Sequence, residues 1–185
     1  MKGIVFTEFL DFAELRFGME TLETIVEQSE LPSGGAYTSV GSYDAREMAA
    51  LLATLGRITE MPASELLMTF GQHLFHRFVL AYPMFFERVP DAFTFLAKIE
   101  TIIHPEVKKL YPDAELPRFE CEAVGPVRMA LVYSSSRGLA DLADGLIRGC
   151  AEHFGERIAI HRDELGSKKG TRVRFELTRI GSSHE

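Results

Sequence analysis

Residues 117–137 read PRFECEAVGPVRMALVYSSSR, and the fold turns on this stretch. From Arg118 to Ala123 polar and apolar residues alternate; Gly125-Pro126 is a turn signal; Val127 to Tyr133 alternates again. Period-two alternation broken by a turn predicts an antiparallel hairpin. The chain upstream has a different period. Phe6, Phe9, Leu10, Ala13 and Phe17 recur at three- and four-residue spacing, and Gly18 closes that helix. Leu22, Ile25 and Val26 form a second short helical pattern that ends before Pro32, and Pro32 to Gly41 reads as a loop. Asp44 with Glu47 is a capping-box pattern ahead of Met48, Leu51, Leu52 and Leu55. Pro62 opens another helix, with Leu66, Leu67, Phe70, Leu74 and Phe78 on one face, and a further helix after Pro90 carries Phe93, Leu96, Ile99 and Ile103.

Downstream, Leu139 to Phe154 returns to helical spacing, with Leu142, Leu146 and Cys150 on one stripe. Arg157 to Arg162 and Thr171 to Thr178 alternate around a loop at 166–170, which predicts a second hairpin. Helices, hairpin, helix, hairpin is an α+β layout. It divides into a helical N-terminal subdomain and a C-terminal part with an antiparallel sheet of two hairpins. The absence of a flexible tract between them makes residues 1–185 a single domain.

A chain of 185 residues buries roughly 70% of its unfolded surface without help from disulfides. Hydrophobic residues at 46% and charged residues at 25% fit a globular domain and exclude collagen and coiled coil. Twenty basic against 27 acidic residues gives a net charge of −7, so nucleic acid is not the expected partner. The apolar runs fall short of the ~20 residues a membrane span needs, and Glu8 and Asp11 interrupt any signal-peptide core, so a soluble, cytoplasmic protein is expected. Two cysteines, Cys121 and Cys150, make no disulfide or zinc pattern and read as small buried hydrophobes. Fourteen Phe and seven Met with no Trp describe a soft core that suits a large apolar guest.

Three features carry chemistry. His104, in Ile102-Ile103-His104-Pro105, ends an apolar helical run. A neutral imidazole there suits an iron ligand and equally suits a capping or core histidine. Tyr133-Ser134-Ser135-Ser136-Arg137 closes a strand before a helix. Strand alternation puts Tyr133, Ser135 and Arg137 on one face, where two hydroxyls and a guanidinium fork suit a carboxylate. The same residues also suit an ordinary serine-rich turn. Between them, Leu110-Tyr111-Pro112 to Pro117 is a proline-bounded connector.

Taken together and in this order, the histidine, the Leu-Tyr-Pro connector and the Tyr-x-Ser-x-Arg signature resemble the haem nitric oxide/oxygen-binding (H-NOX) family, bacterial gas sensors related to the haem domain of soluble guanylate cyclase. The resemblance covers essentially the whole chain and implies a stand-alone bacterial domain with haem buried between its halves. It implies non-covalent haem b with His104 on the iron, Tyr133, Ser135 and Arg137 on the propionates, and Pro117 pressing on the porphyrin. Residues 1–60 would cover the distal face and residues 61–185 would hold the proximal face. Val5, Leu74, Phe78 and Leu142 would line the distal pocket. Oxygen-binding relatives carry a tyrosine where Leu142 stands, so nitric oxide and carbon monoxide are the expected ligands. His73 and Tyr82 lie near that region, and helical phase places His73 on the surface. Gas binding would loosen the iron–histidine bond and rotate the halves, signalling to a histidine kinase or diguanylate cyclase. Pro105 is expected to end or kink the helix at His104 and so load that bond. Two alternatives remain: an oxygen sensor or carrier of the same fold, and an enzyme acting on an anionic substrate through Tyr133, Ser135 and Arg137. For the second, no general base stands at a recognisable spacing.

Overall fold

A computed structural model describes residues 1–166 and 170–181. The tip of the second hairpin, 167–169, lies outside them. Helices α1 (Gly3–Phe17), α2 (Met19–Gln28), α3 (Ala45–Thr59) and α4 (Ala63–Ala81) come first, then α5 (Ala92–Ala97) and α6 (His104–Leu110). Strands β1 (Arg118–Val124) and β2 (Arg128–Ser135), helix α7 (Ala140–His153), and strands β3 (Ile158–Leu165) and β4 (Thr171–Arg179) complete the chain. The layout is α+β, as the periodicity implies. No helix among the described residues is long and apolar enough to cross a membrane.

The local signals act largely as read. Gly18 closes α1 at φ +89°, a conformation open to glycine, and its amide donates to the Glu14 carbonyl at 2.8 Å. The capping box at α3 is the exception. Asp44 accepts from the Arg46 amide at 2.9 Å, but Glu47 does not reach back to it. The Glu47 carboxylate is buried and accepts from Ser33 and, at 2.9 Å, from the Tyr37 hydroxyl, so tertiary donors outcompete the local cap.

The expected break at Pro105 is also corrected. The irregularity comes before His104, as a π-helical turn over Ile99–Ile103. The His104 amide reaches back five residues to the Ile99 carbonyl, and His104 itself is helical, at φ −61° and ψ −40°. Pro105 therefore falls in the first turn of α6, where an absent N–H costs little. Single π turns of this kind gather at functional sites.

The sheet order is β1-β2-β4-β3, antiparallel throughout, with each hairpin as predicted and β2 paired to β4 between them. Alternating burial fails for β2, where Met129 through Tyr133 are all buried. Met129, Leu131 and Tyr133 face the core. Over Ala130 and Val132, Arg174 of β4 pairs with Glu122 of β1 across β2, and the stems of such side chains cover apolar surface. Cys150 is buried but Cys121, at a bulge in β1, is exposed, contrary to expectation.

Two cores result. One joins α1, α2 and α3 to the first half of α4 through Phe6, Phe9, Phe12, Leu51, Leu55, Leu66 and Phe70. The other joins the sheet to α5 and α7 through Phe93, Phe95, Leu131, Ile147 and Phe175. Helix α4 enters both and crosses α7 at very close range. A Cβ on Gly145 would meet the Met68 carbonyl oxygen at 2.1 Å, and one on Gly71 the Leu142 carbonyl oxygen at 2.5 Å. That is why α7 presents small residues to α4, while Leu142 and Leu146 are only half-buried and lean on the helical core.

Candidate functional site

His104 stands at the head of α6, its side chain 16% exposed. Glu100, four residues earlier in the π turn, lies alongside it, with Nδ1 of His104 2.9 Å from Oε1 of Glu100. The same oxygen accepts the Phe119 amide of β1 at 2.7 Å. A carboxylate acceptor makes Nδ1 the donor and leaves the Nε2 lone pair available to a metal. Burial holds His104 below the ordinary imidazole pKa, against the upward pull of Glu100, so the ring is neutral at pH 7.

Phe119 links this histidine to the second group of predicted residues. Its ring centroid lies 6.1 Å from His104 and 5.4 Å from Tyr133, its register partner on β2. Tyr133 is buried, with Ser135 and the Leu139 amide in hydrogen-bond reach of its hydroxyl; burial pushes its pKa up. Strand alternation does not carry as far as Arg137. Strand β2 ends at Ser135, and a turn follows in which the Arg137 amide donates to Ser135 Oγ at 3.2 Å. The turn, not the pleat, therefore sets where the guanidinium goes. Arg137 then donates to the Glu115 carbonyl at 2.8 Å and to the Glu115 carboxylate. Pro117, half-buried, sits in the same connector immediately before β1.

Val5 of α1, Leu74 and Phe78 of α4, and Leu142 of α7 all belong to the helical core or pack against it. Leu139 joins them there while its amide serves Tyr133, so the two groups of residues meet at the start of α7. The tyrosine hydroxyls in this region have polar partners within the chain. Tyr37 donates to Glu47, Tyr43 accepts the Thr38 amide at 2.8 Å, and Tyr82 pairs with Tyr111 at 3.2 Å. His73 is not the surface residue its phase suggests. It packs on Phe12 of α1, Nε2 is buried without a hydrogen bond, and Glu8 lies 3.9 Å away.

The donor set fits a haem. His104 has Nδ1 tied to Glu100 and offers Nε2 to a metal. The Arg137 fork already holds a carboxylate, that of Glu115, which shows the clamp accepting the chemical group a propionate would bring. Two residues of the site were not singled out from sequence. Glu100 carried a usable signal, since it stands one helical turn before the histidine. Glu115 carried none, because its partner Arg137 is remote along the chain.

Comparisons with known proteins bear on the family of the chain. A haem-NO-binding family model matches residues 2–162. The H-NOX protein of K. algicida, solved as unliganded Fe(II), is 39% identical over 100% of both chains, with a TM-score of 0.92. The H-NOX protein of Shewanella woodyi, solved in its Fe(II)CO state with IWP-051 bound, is 42% identical over 100% of this chain and 97% of its own, with a TM-score of 0.84. An H-NOX protein of S. oneidensis in the Fe(II)NO state is 28% identical over 98% and 100%, with a TM-score of 0.89. No curated protein matches the chain. A match over most of the sequence, together with relatives this similar over their full length, makes the chain a member of the H-NOX family of haem-NO-binding domains.

Proposed function

We propose that this H-NOX domain is a nitric oxide sensor that holds non-covalent haem b through His104. The family makes it a haem-binding gas-sensor domain and not an enzyme. The finer assignment is ours. Tyr133, Ser135 and Arg137 hold the propionates, with Arg137 exchanging Glu115 for a propionate carboxylate. Pro117 borders the macrocycle from the connector. Val5, Leu74, Phe78 and Leu142 form the distal wall. His104 would hold a ferrous haem, which would supply an iron site for a diatomic gas.

The observation that carries the reading is the distal wall. Oxygen on iron gathers negative charge and is held by a hydrogen-bond donor. Leu142 stands where such a donor would be needed, the Tyr37 hydroxyl donates to Glu47, and the Tyr82 hydroxyl is paired with Tyr111. Nitric oxide binds ferrous haem without a donor, so an apolar wall selects it by refusing oxygen. The signal would pass as a change in how the helical core sits against the sheet core, through the α4–α7 crossing. A histidine kinase or diguanylate cyclase is the proposed recipient, in the bacterial cytoplasm.

One absorption experiment tests this. Ferrous protein should change its Soret band with nitric oxide and with carbon monoxide and should not retain oxygen in air. Durable oxygen uptake by the unmodified protein would make it an oxygen sensor or carrier instead. Absence of any haem band after haem loading would remove the cofactor altogether.

A further inference from the structure

The geometry points to Glu100 as the positioning residue of the iron ligand, a carboxylate that sets which nitrogen of His104 faces the haem and how tightly it holds. The inference rests on the proposed ligation by His104.

Three observations carry it. First, Glu100 Oε1 stands 2.9 Å from His104 Nδ1, across the junction between the π turn and α6. Residues four apart share a helix face, so 100 and 104 stand side by side at the point where the helix changes pitch. Second, the carboxylate is itself fixed. The Phe119 amide donates to the same oxygen at 2.7 Å, so the side chain is tied to β1 as well as to α6. Third, Phe119 is the register partner of Tyr133, so one short path joins the ligand, the carboxylate, the strand and the proposed propionate clamp.

The chemistry follows from these contacts. An imidazole can present either nitrogen to a metal, and the hydrogen bond made by the other one decides. A charged acceptor at Nδ1 leaves Nε2 as the donor atom and raises its basicity, which strengthens its bond to iron. Sharing Oε1 with the Phe119 amide spreads the negative charge and keeps the effect moderate. Glu100 therefore opposes release of His104 from the iron. When the ligand does let go, His104 can withdraw only by bending the contacts to Glu100 and Phe119, so strand β1 feels the event directly.

The test compares the unmodified protein with Glu100→Gln, both loaded with haem. Glutamine keeps an acceptor for the Phe119 amide and for Nδ1 but removes the charge, so the fold is retained and thermal unfolding verifies it. In the ferrous, gas-free state the iron–histidine stretching band should fall in frequency, and haem should pass to an acceptor protein about 10-fold faster. A second arm does not depend on His104 staying in place. In His104→Gly, imidazole should restore the iron bond at about 10-fold lower concentration than 1-methylimidazole, which has no N–H to give. In the double variant His104→Gly/Glu100→Gln that preference should collapse. Equal stretching frequencies, or an imidazole preference untouched by the second substitution, would overturn the role of Glu100 while leaving the haem protein intact. Failure of the unmodified protein to take haem would overturn the functional reading, and the inference with it.

Discussion

The helical core and the sheet core treat polar groups in opposite ways. Around α1, α3 and α4, polar side chains are tied up with one another away from the apolar wall. Glu47 is closed by Ser33 and Tyr37, and Ser29 by Thr54. His73 is left with a buried, unbonded Nε2. Around β1, β2 and α6 the polar groups point into the site. Glu100 holds His104, and Arg137 holds a carboxylate. One half is built to be dry and the other to grip. In the proposed function, a gas that needs no hydrogen bond would enter the first, and a haem that needs a ligand and a charge clamp would be held by the second.

The comparison breaks most completely at His104. His104→Gly should lose its haem and regain it when free imidazole is supplied, read from the Soret band. A normal haem content without imidazole would put the ligand elsewhere. The clamp should matter next. Arg137→Ala removes charge-assisted bonds worth about 1.5–3 kcal/mol, whereas Ser135→Ala removes a neutral bond worth about 1 kcal/mol. Haem loss should therefore be faster in the arginine variant than in the serine variant, with both faster than in the unmodified protein. Equal retention in all three would take the propionates away from this turn.

Sequence made the gripping half unusually legible, and the reason is physical. Period-two alternation marks both hairpins, and the signature from Tyr133 to Arg137 is local, so its members stay neighbours once the turn forms. What sequence hid was tertiary. Glu115 meets Arg137 only after the connector folds back. The close α4–α7 crossing needs Gly71, Gly145 and Gly149 on two helices far apart in the chain, none of which stands out alone. Glu47 looks like a cap until Ser33 and Tyr37 arrive from the loop. The π turn is hidden because its carbonyls and amides belong to unremarkable residues; Pro105 advertised an irregularity, and the fold placed it one turn upstream.

The dry half should show its own weakness in acid. Burial lowers the His73 pKa, with Glu8 pulling the other way. The unfolded chain, with histidine near 6.5, then binds a proton that the folded chain resists. Stability from this group is fully present above that value and is lost as pH falls below it. His104 and His153 are lowered by burial too and have the same sign. The unfolding midpoint should therefore drop between about pH 7 and pH 5, and His73→Phe should flatten part of that slope. A slope unchanged by the substitution would place the acid sensitivity in the other two histidines.

The smallest effect is expected at Pro105, and it sharpens what holds the iron ligand. A proline inside a helix clashes with the carbonyl four residues back, here Thr101, and would strain the helix at His104. The π turn removes that conflict, because the backbone over Ile99–Ile103 is already paired five residues back and α6 starts afresh at His104. With φ fixed near its helical value and no N–H needed in a first turn, the proline restrains the unfolded chain more than it strains the folded one. Pro105→Ala should then cost about 0.4–1 kcal/mol of stability, seen as a slightly lower urea midpoint. The iron–histidine stretching band should stay where it is. Glu100→Gln should do the reverse, moving the band with little change in the midpoint. If Pro105→Ala shifts the band as far as Glu100→Gln does, the tension on His104 comes from its own helix, and the carboxylate is a bystander.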